Sequence, residues 1–290
     1  IDTVLDERAK LGESPVWSTD GQVLYWIDID GQVVHRTDPS TGRDETRELD
    51  GRPGSIALTT DPDRLLVSIE HDIADLRWST GHLEHRISLE HADAPARMND
   101  GRTDPAGRFW VGSMDLPSNS GRGAGFLHRI EADRTFETME TGVGVANGMA
   151  FSPDGSTMYW ADTPRLTVWA YDYDAETGSR RNGRVFLDFS DLPGKPDGAC
   201  VDETGCYWVA CVYGWAVLRA TPDGRVDRVI ELPVEKPSMP AFGGAGLDTM
   251  FVTSISSGGA APAAADQDLA GSLLAVDAGV RGIPEPPFAG

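Results

Sequence analysis

Four short segments of the chain gather the side chains best suited to chemistry: Leu11-Gly-Glu-Ser-Pro-Val-Trp17, Arg97-Met-Asn-Asp-Gly101, Val145-Ala-Asn-Gly-Met-Ala-Phe151 and Lys195-Pro-Asp-Gly-Ala-Cys-Val201. Glu13, Asn147 and Asp197 together offer two carboxylates and an amide. Three such oxygen donors suit a hard divalent cation and leave positions open for water or substrate. An isolated Asn-Gly or Asp-Gly step reads more simply as a turn with φ > 0. Here such a step recurs in three segments, as Asn99-Asp100-Gly101, Asn147-Gly148 and Asp197-Gly198, with Asn99, Asn147 and Asp197 in register and each followed by an apolar strand, which favours the chemical reading. Other routes lack their parts. There is no His-Glu-x-x-His run and no Gly-x-Ser-x-Gly elbow. His35, His71, His82, His85, His91 and His128 all fall outside the four segments and read as surface or core residues.

These segments need a scaffold that points them at one place, and a repeat supplies it. Ser18-Thr-Asp-Gly-Gln-Val-Leu-Tyr-Trp26, Asp104-Pro-Ala-Gly-Arg-Phe-Trp110, Ser152-Pro-Asp-Gly-Ser-Thr-Met-Tyr-Trp160 and Asp202-Glu-Thr-Gly-Cys-Tyr-Trp208 share one plan. Weaker copies start at Thr60 and Gly246. Each is a polar turn running into an aromatic and β-branched strand, the signature of a hairpin. The interval of roughly 40–50 residues is that of one four-stranded propeller blade. Six copies predict an all-β, six-bladed β-propeller occupying residues 1–290 as a single domain, with no helix and with a metal site in the central channel. A strand near Thr3–Arg8 is expected to join the last blade and close the ring, removing exposed sheet edges. The Gly/Ala-rich stretch from Ser256 to Asp268 reads as a loop of that blade. Equivalent positions of a closed ring face a common axis, so Asn99, Asn147 and Asp197 should converge there, with Glu13 entering from the first blade. Asp28 and Asp162, in matching strands, read as structural acceptors for backbone N–H groups. Most of the eight Trp read as blade packing, with Trp215 a candidate for the channel mouth.

The same residues carry a family resemblance. Gly12-Glu-Ser-Pro-Val-Trp17, Arg97-Met-Asn-Asp-Gly-Arg-Thr-Asp-Pro-Ala-Gly-Arg-Phe-Trp110 with Gly112-Ser-Met114, Ala146-Asn-Gly148, Pro196-Asp-Gly198 and Phe242-Gly-Gly244 closely resemble the family of senescence marker protein 30 (regucalcin), gluconolactonase and luciferin-regenerating enzyme. The resemblance implies a metal-dependent lactonase that opens a sugar (aldono-)lactone to its aldonic acid. It places one divalent ion on Glu13, Asn147 and Asp197, with Asp197 also as general base and Arg97 and Asn99 on substrate oxygens. Calcium is the first expectation for the metal, with zinc, manganese, magnesium or iron as alternatives. Some relatives carry a substrate-contacting glutamate shortly after the Gly-Ser/Thr-Met motif. This chain reads Met114-Asp-Leu-Pro-Ser-Asn119 instead, which makes Asp115 the candidate replacement.

Bulk properties narrow the partners. With 46 acidic against 25 basic residues the net charge is −21, a field that repels phosphate backbones and anionic membranes. The expected partner is a small sugar lactone, with no nucleic acid and no membrane; oligomeric state is left open. Cys200, Cys206 and Cys211 lack metal-ligand spacing and read as small buried residues in strands. Their odd number, without a secretory segment, predicts reduced thiols in the cytoplasm. Two other functions compete: a phosphotriesterase-like or aryl-ester hydrolase on the same site, favoured by an apolar mouth, and a non-catalytic calcium-binding or scaffold propeller.

Overall fold

Central strands such as Val23–Asp28 and Tyr207–Val212 are buried throughout, as continuous apolar runs between two packed layers must be. Peripheral strands such as Arg43–Glu48 and Val226–Glu231 are charged and largely exposed, which protects their unpaired edges from joining other sheets. The computed structural model describes residues 1–89, 96–116, 123–259, 264 and 267–290. Its strands form six four-stranded antiparallel sheets, the six blades expected from the repeat. Five run in chain order. The sixth takes Pro237–Gly243, Thr249–Ser254 and Leu273–Asp277 and adds Asp2–Leu5 from the other end of the chain. Asp2 pairs with Ala275 and Thr3 with Leu274, so the ring closes as expected. The closing strand ends at Leu5, short of the expected Arg8, which takes a left-handed backbone (φ 57°). Two short 3₁₀ turns, Thr163–Arg165 and Phe189–Asp191, are the helical pieces among the described residues. None is long and apolar enough to cross a membrane.

Carboxylates near the strand ends stitch the first and fourth blades. Asp28 accepts the backbone N–H of Lys10 and Leu11 at 2.9 and 3.0 Å. Asp162 does the same for Gly144 and Val145, both at 3.0 Å. Both are structural acceptors, as their matching sequence positions imply. Cys200 and Cys211 are buried in strands, and Cys206 is buried in the turn ahead of one; none is bridged.

Every innermost strand breaks register with its neighbour near the level where the site residues sit. The interruptions fall at Glu13/Val16, Pro53/Ser55, Met98/Gly101, Asn147/Ala150, Pro196/Ala199 and Pro237/Met239. In each case the inner strand carries one more residue than its partner. Such a bulge bends the strand and re-aims the adjoining side chains. The Asn-Gly and Asp-Gly steps are therefore bulges within strands, not hairpin turns. Of their glycines Gly148 takes a positive φ (62°), and a Cβ there would meet the Tyr207 hydroxyl at 2.5 Å.

At the far end of the inner strands the channel is crossed by the segment from Arg281 to Gly290. It bridges Asp202 to Gly282 and Thr59 to Phe288, buries Phe288 completely and sets Glu285 against Arg102. Nothing in its Pro-rich sequence announces this strap.

Candidate active site

Opposite the strap, where the inner strands begin, lies a cavity of about 230 Å³. Glu13, Arg97, Asn99, Asn147 and Asp197 all line it, brought from the first, third, fourth and fifth blades. Each is a few per cent exposed. Asp115 does not join them. Its carboxylate accepts the backbone N–H groups of Gly123 and Ala124, anchoring the loop that follows its own strand. The expectation that it replaces the missing glutamate is not met by the cavity lining, and both its oxygens already hold backbone donors. The rest of that loop, residues 117–122, lies outside the described residues, as does His91. Trp215 is exposed and off the cavity lining, which its neighbour Tyr213 joins instead.

A hydrogen-bonded chain fixes the amides. Arg97 donates from Nη1 to the Met98 carbonyl at 2.8 Å and to Asn99 Oδ1 at 3.1 Å. Asn99 Nδ2 donates to the Ala146 carbonyl at 2.9 Å and to Asn147 Oδ1 at 3.0 Å. Asn147 Nδ2 donates to Thr163 Oγ1 at 2.8 Å, and the Thr163 hydroxyl donates to the Pro196 carbonyl at 2.8 Å. Thr163 thus decides which end of the Asn147 amide faces Thr163 and which stays with the channel side. It stands just after the second strand of its blade, outside the inner-strand motifs, so the motifs did not reveal it.

The carboxylates are electrostatically crowded. Burial, then the nearby charges of Asp197 and Asp100, push Glu13 well above the usual carboxylate range, with Arg97 only partly offsetting them. Burial and Asp100 do the same to Asp197. Asp100 is itself raised to about 6 by burial, although it accepts the Met149 N–H at 2.9 Å. Its Oδ1 is buried without a hydrogen-bond partner. Asp100 stands in the second segment's Asn-Asp-Gly run without any role that spacing alone could assign. Burial, followed by repulsion from Arg52, lowers Arg97 to about 10. Among the described residues no three His, Cys, Asp or Glu side chains are grouped as a metal site; the candidate set takes its third donor from an amide. Buried, mutually repelling carboxylates beside a fixed amide are chemically suited to a divalent cation, whose charge relieves what the protein leaves uncompensated.

Known proteins place the chain more closely. It is 40% identical over 290 residues to a 6-deoxy-6-sulfogluconolactonase of Pseudomonas putida, covering 99% of this chain and 98% of that one. It is 36% identical over 297 residues to a pentonolactonase of Haloferax volcanii, covering 98% and 97%. Among solved structures, the calcium-binding protein regucalcin of Agrobacterium tumefaciens superimposes with a TM-score of 0.91 at 26% identity, over 99% of this chain and 96% of that one. Residues 11–256 match the SMP-30/gluconolactonase/LRE-like region, a span that contains every residue of the cavity set, and the chain belongs to that family.

Proposed function

We propose that the protein is a sugar lactonase, hydrolysing an aldonolactone to the aldonic acid with a divalent cation held by Glu13, Asn147 and Asp197. The observation that carries the reading is the convergence of two uncompensated buried carboxylates and an oriented amide in one cavity, in a chain 36–40% identical to lactonases over its length. A lactone is an ester, so opening it requires an attacking water, a base and stabilisation of the oxyanion. A divalent cation in this donor set supplies Lewis acidity toward the carbonyl and lowers the pKa of water. The Asp197 carboxylate, whose proton affinity is raised by burial and by Asp100, takes the proton of the attacking water. Arg97 has Nε and Nη2 donors beyond those committed to Met98 and Asn99, and these orient ring oxygens and hold the carboxylate product. Asn99 bridges Arg97 to Asn147 and keeps the two in register. Calcium is the first choice of metal, because all three donors are oxygens.

The deciding experiment is hydrolysis of a panel of aldonolactones by chelator-treated protein, with single divalent metals restored and metal-only controls. Restored turnover of a sugar lactone is expected; no turnover with any metal overturns the reading. Apolar groups such as Val145, Val212 and Ile255 also line the cavity, so an aryl-ester hydrolase is the second reading and an aryl ester belongs in the panel. Tight metal binding without turnover of anything would support a calcium-binding scaffold. Thr163 gives a subtler test. Thr163→Val keeps the shape but removes the acceptor for Asn147 Nδ2. Metal affinity is expected to fall about 10-fold or more, as when groups supporting a ligand are removed elsewhere, and metal titration by calorimetry reads it. Unchanged affinity would deny Thr163 this role.

A further inference from the structure

One charged group in the cavity has no part in the scheme above. Lys195 opens the inner strand Lys195–Val201 and lies two residues before Asp197, and both side chains line the cavity. At about 3.3 Å per residue their Cα atoms stand about 7 Å apart along the strand, with Lys195 nearer the mouth. Lys195 lines the cavity, and no carboxylate among the described residues pairs with it. That is unusual in a chain with 46 acidic residues against 25 basic. Its ammonium instead stands 6.0 Å from the centre of the Tyr213 ring, and a second ammonium, Lys236, approaches the same ring at 5.3 Å. Two lysines thus approach one aromatic ring inside an otherwise acidic molecule.

The backbone has been bent to put Tyr213 there. Tyr213 (φ 64°) and Trp215 (φ 56°) both take the left-handed conformation on either side of Gly214. Bulky residues rarely adopt it, and such strain, about 1–3 kcal/mol for each residue, persists where the surroundings enforce it. The turn is enforced by Gly214 N–H donating to the Cys211 carbonyl at 2.8 Å and by Leu232 N–H donating to the Trp215 carbonyl at 2.7 Å.

We infer that Lys195, seated over Tyr213, is a specificity-determining residue that recognises an anionic substituent on the exocyclic carbon of the sugar lactone. With the lactone carbonyl beside Asp197, the opposite side of a five- or six-membered sugar ring reaches toward the mouth, at the distance where Lys195 stands. A sulfonate, phosphate or carboxylate carried there meets the ammonium, whereas a neutral hydroxymethyl gains little from it. The inference rests on the lactonase reading and deepens it by naming the class of substrate.

The test compares kcat/KM for gluconolactone with that for the same lactone carrying a 6-sulfonate or a 6-phosphate, in the native enzyme and in Lys195→Met and Lys195→Arg. The native enzyme is expected to prefer an anionic lactone, and the two anionic arms tell which oxyanion fits. In Lys195→Met the ratio of anionic to neutral kcat/KM should fall about tenfold or more, the worth of a hydrogen bond to a charged group, mainly through KM. Lys195→Arg should keep much of the preference, and added salt should erode it. Because both substrates are measured on one enzyme, a general loss of folded protein leaves the ratio unmoved. Neutral lactones turned over with the same ratio in Lys195→Met would overturn the inference and leave the lactonase reading standing. If the native enzyme hydrolysed no lactone with any metal, the lactonase reading would fall and this inference with it.

Discussion

Asp197→Asn is expected to cost the enzyme about 10³-fold in kcat while making the metal-free protein more stable. The loss of rate follows from removing a proton acceptor, for which effects of about 10²–10⁴-fold are usual, together with one anionic donor for the metal. The gain in stability follows from the crowding of Glu13, Asp100 and Asp197: burial pushes each upward, Asp197 and Asp100 add to Glu13, and Asp100 adds to Asp197. An amide of the same shape carries no charge to desolvate, and substitutions of this kind commonly return about 0.5–2 kcal/mol. The pH dependence has a definite sign. Asp197 holds its proton more tightly in the folded protein than in the unfolded chain, so its stabilising contribution is complete below the unfolded pKa. It is lost as the pH rises through the higher folded value. The advantage of the asparagine variant in chelator should therefore grow from about pH 4 toward neutrality and shrink when a divalent cation is restored. Thermal melts of both proteins across that range, with and without chelator, read the effect. A variant that keeps full turnover, or one that melts lower than its parent in chelator at neutral pH, would mean the site has been misassigned.

The second large effect is purely structural. Asp202 is completely buried in the turn of the fifth blade. It accepts from Thr204 N at 2.9 Å, Thr204 Oγ1 at 2.6 Å, Cys206 N at 3.1 Å, Trp208 Nε1 at 2.9 Å and Arg219 Nε at 2.8 Å. Burial works against its charge, but these donors outweigh it and hold the carboxyl below its ordinary range. Asp202→Ala leaves an indole N–H and part of a guanidinium buried without an acceptor. Breaking such a pair costs about 3–5 kcal/mol, which in a protein of this size lowers Tm by about 10 °C. The turn lies at the strand end opposite the cavity, so kcat/KM of the protein still folded at 25 °C should remain close to the parent's. Calorimetry together with lactone turnover separates the two. A melting point within a degree or two of the parent would show that the turn tolerates the loss.

The contrast between these two carboxylates marks what could be read from the chain. The blade count was legible because turn and strand repeat within each blade, where neighbours in space are neighbours in sequence. Glu13, Asn99, Asn147 and Asp197 were legible because each sits at the same level of an inner strand, and the ring turns equal levels into one place. Thr163 and Tyr213 belong to second and connecting segments that reach the cavity from behind the inner strands, and no periodicity announces such a contact. Asp115 was misplaced for a related reason. Its position after Met114 was right for the mouth, but the backbone donors of Gly123 and Ala124 claimed it. The strap from Arg281 to Gly290 carries no strand signal at all, because single bridges and one buried phenylalanine hold it down.

The closing ladder between Asp2–Leu5 and Leu273–Asp277 has a consequence for the enzyme's lifetime. As the chain emerges from the ribosome, its early strand waits unpaired until every other blade exists, so the latch that shuts the ring is the last piece to form. Five finished blades already hold its two halves near each other, and the loop entropy of joining residues so far apart in sequence has been met before the ladder zips. The same latch must open before neighbouring blades can part. How long the enzyme survives on warming is then a question of rate at a four-residue strand, and contacts absent from the unfolding transition state are those that prolong it.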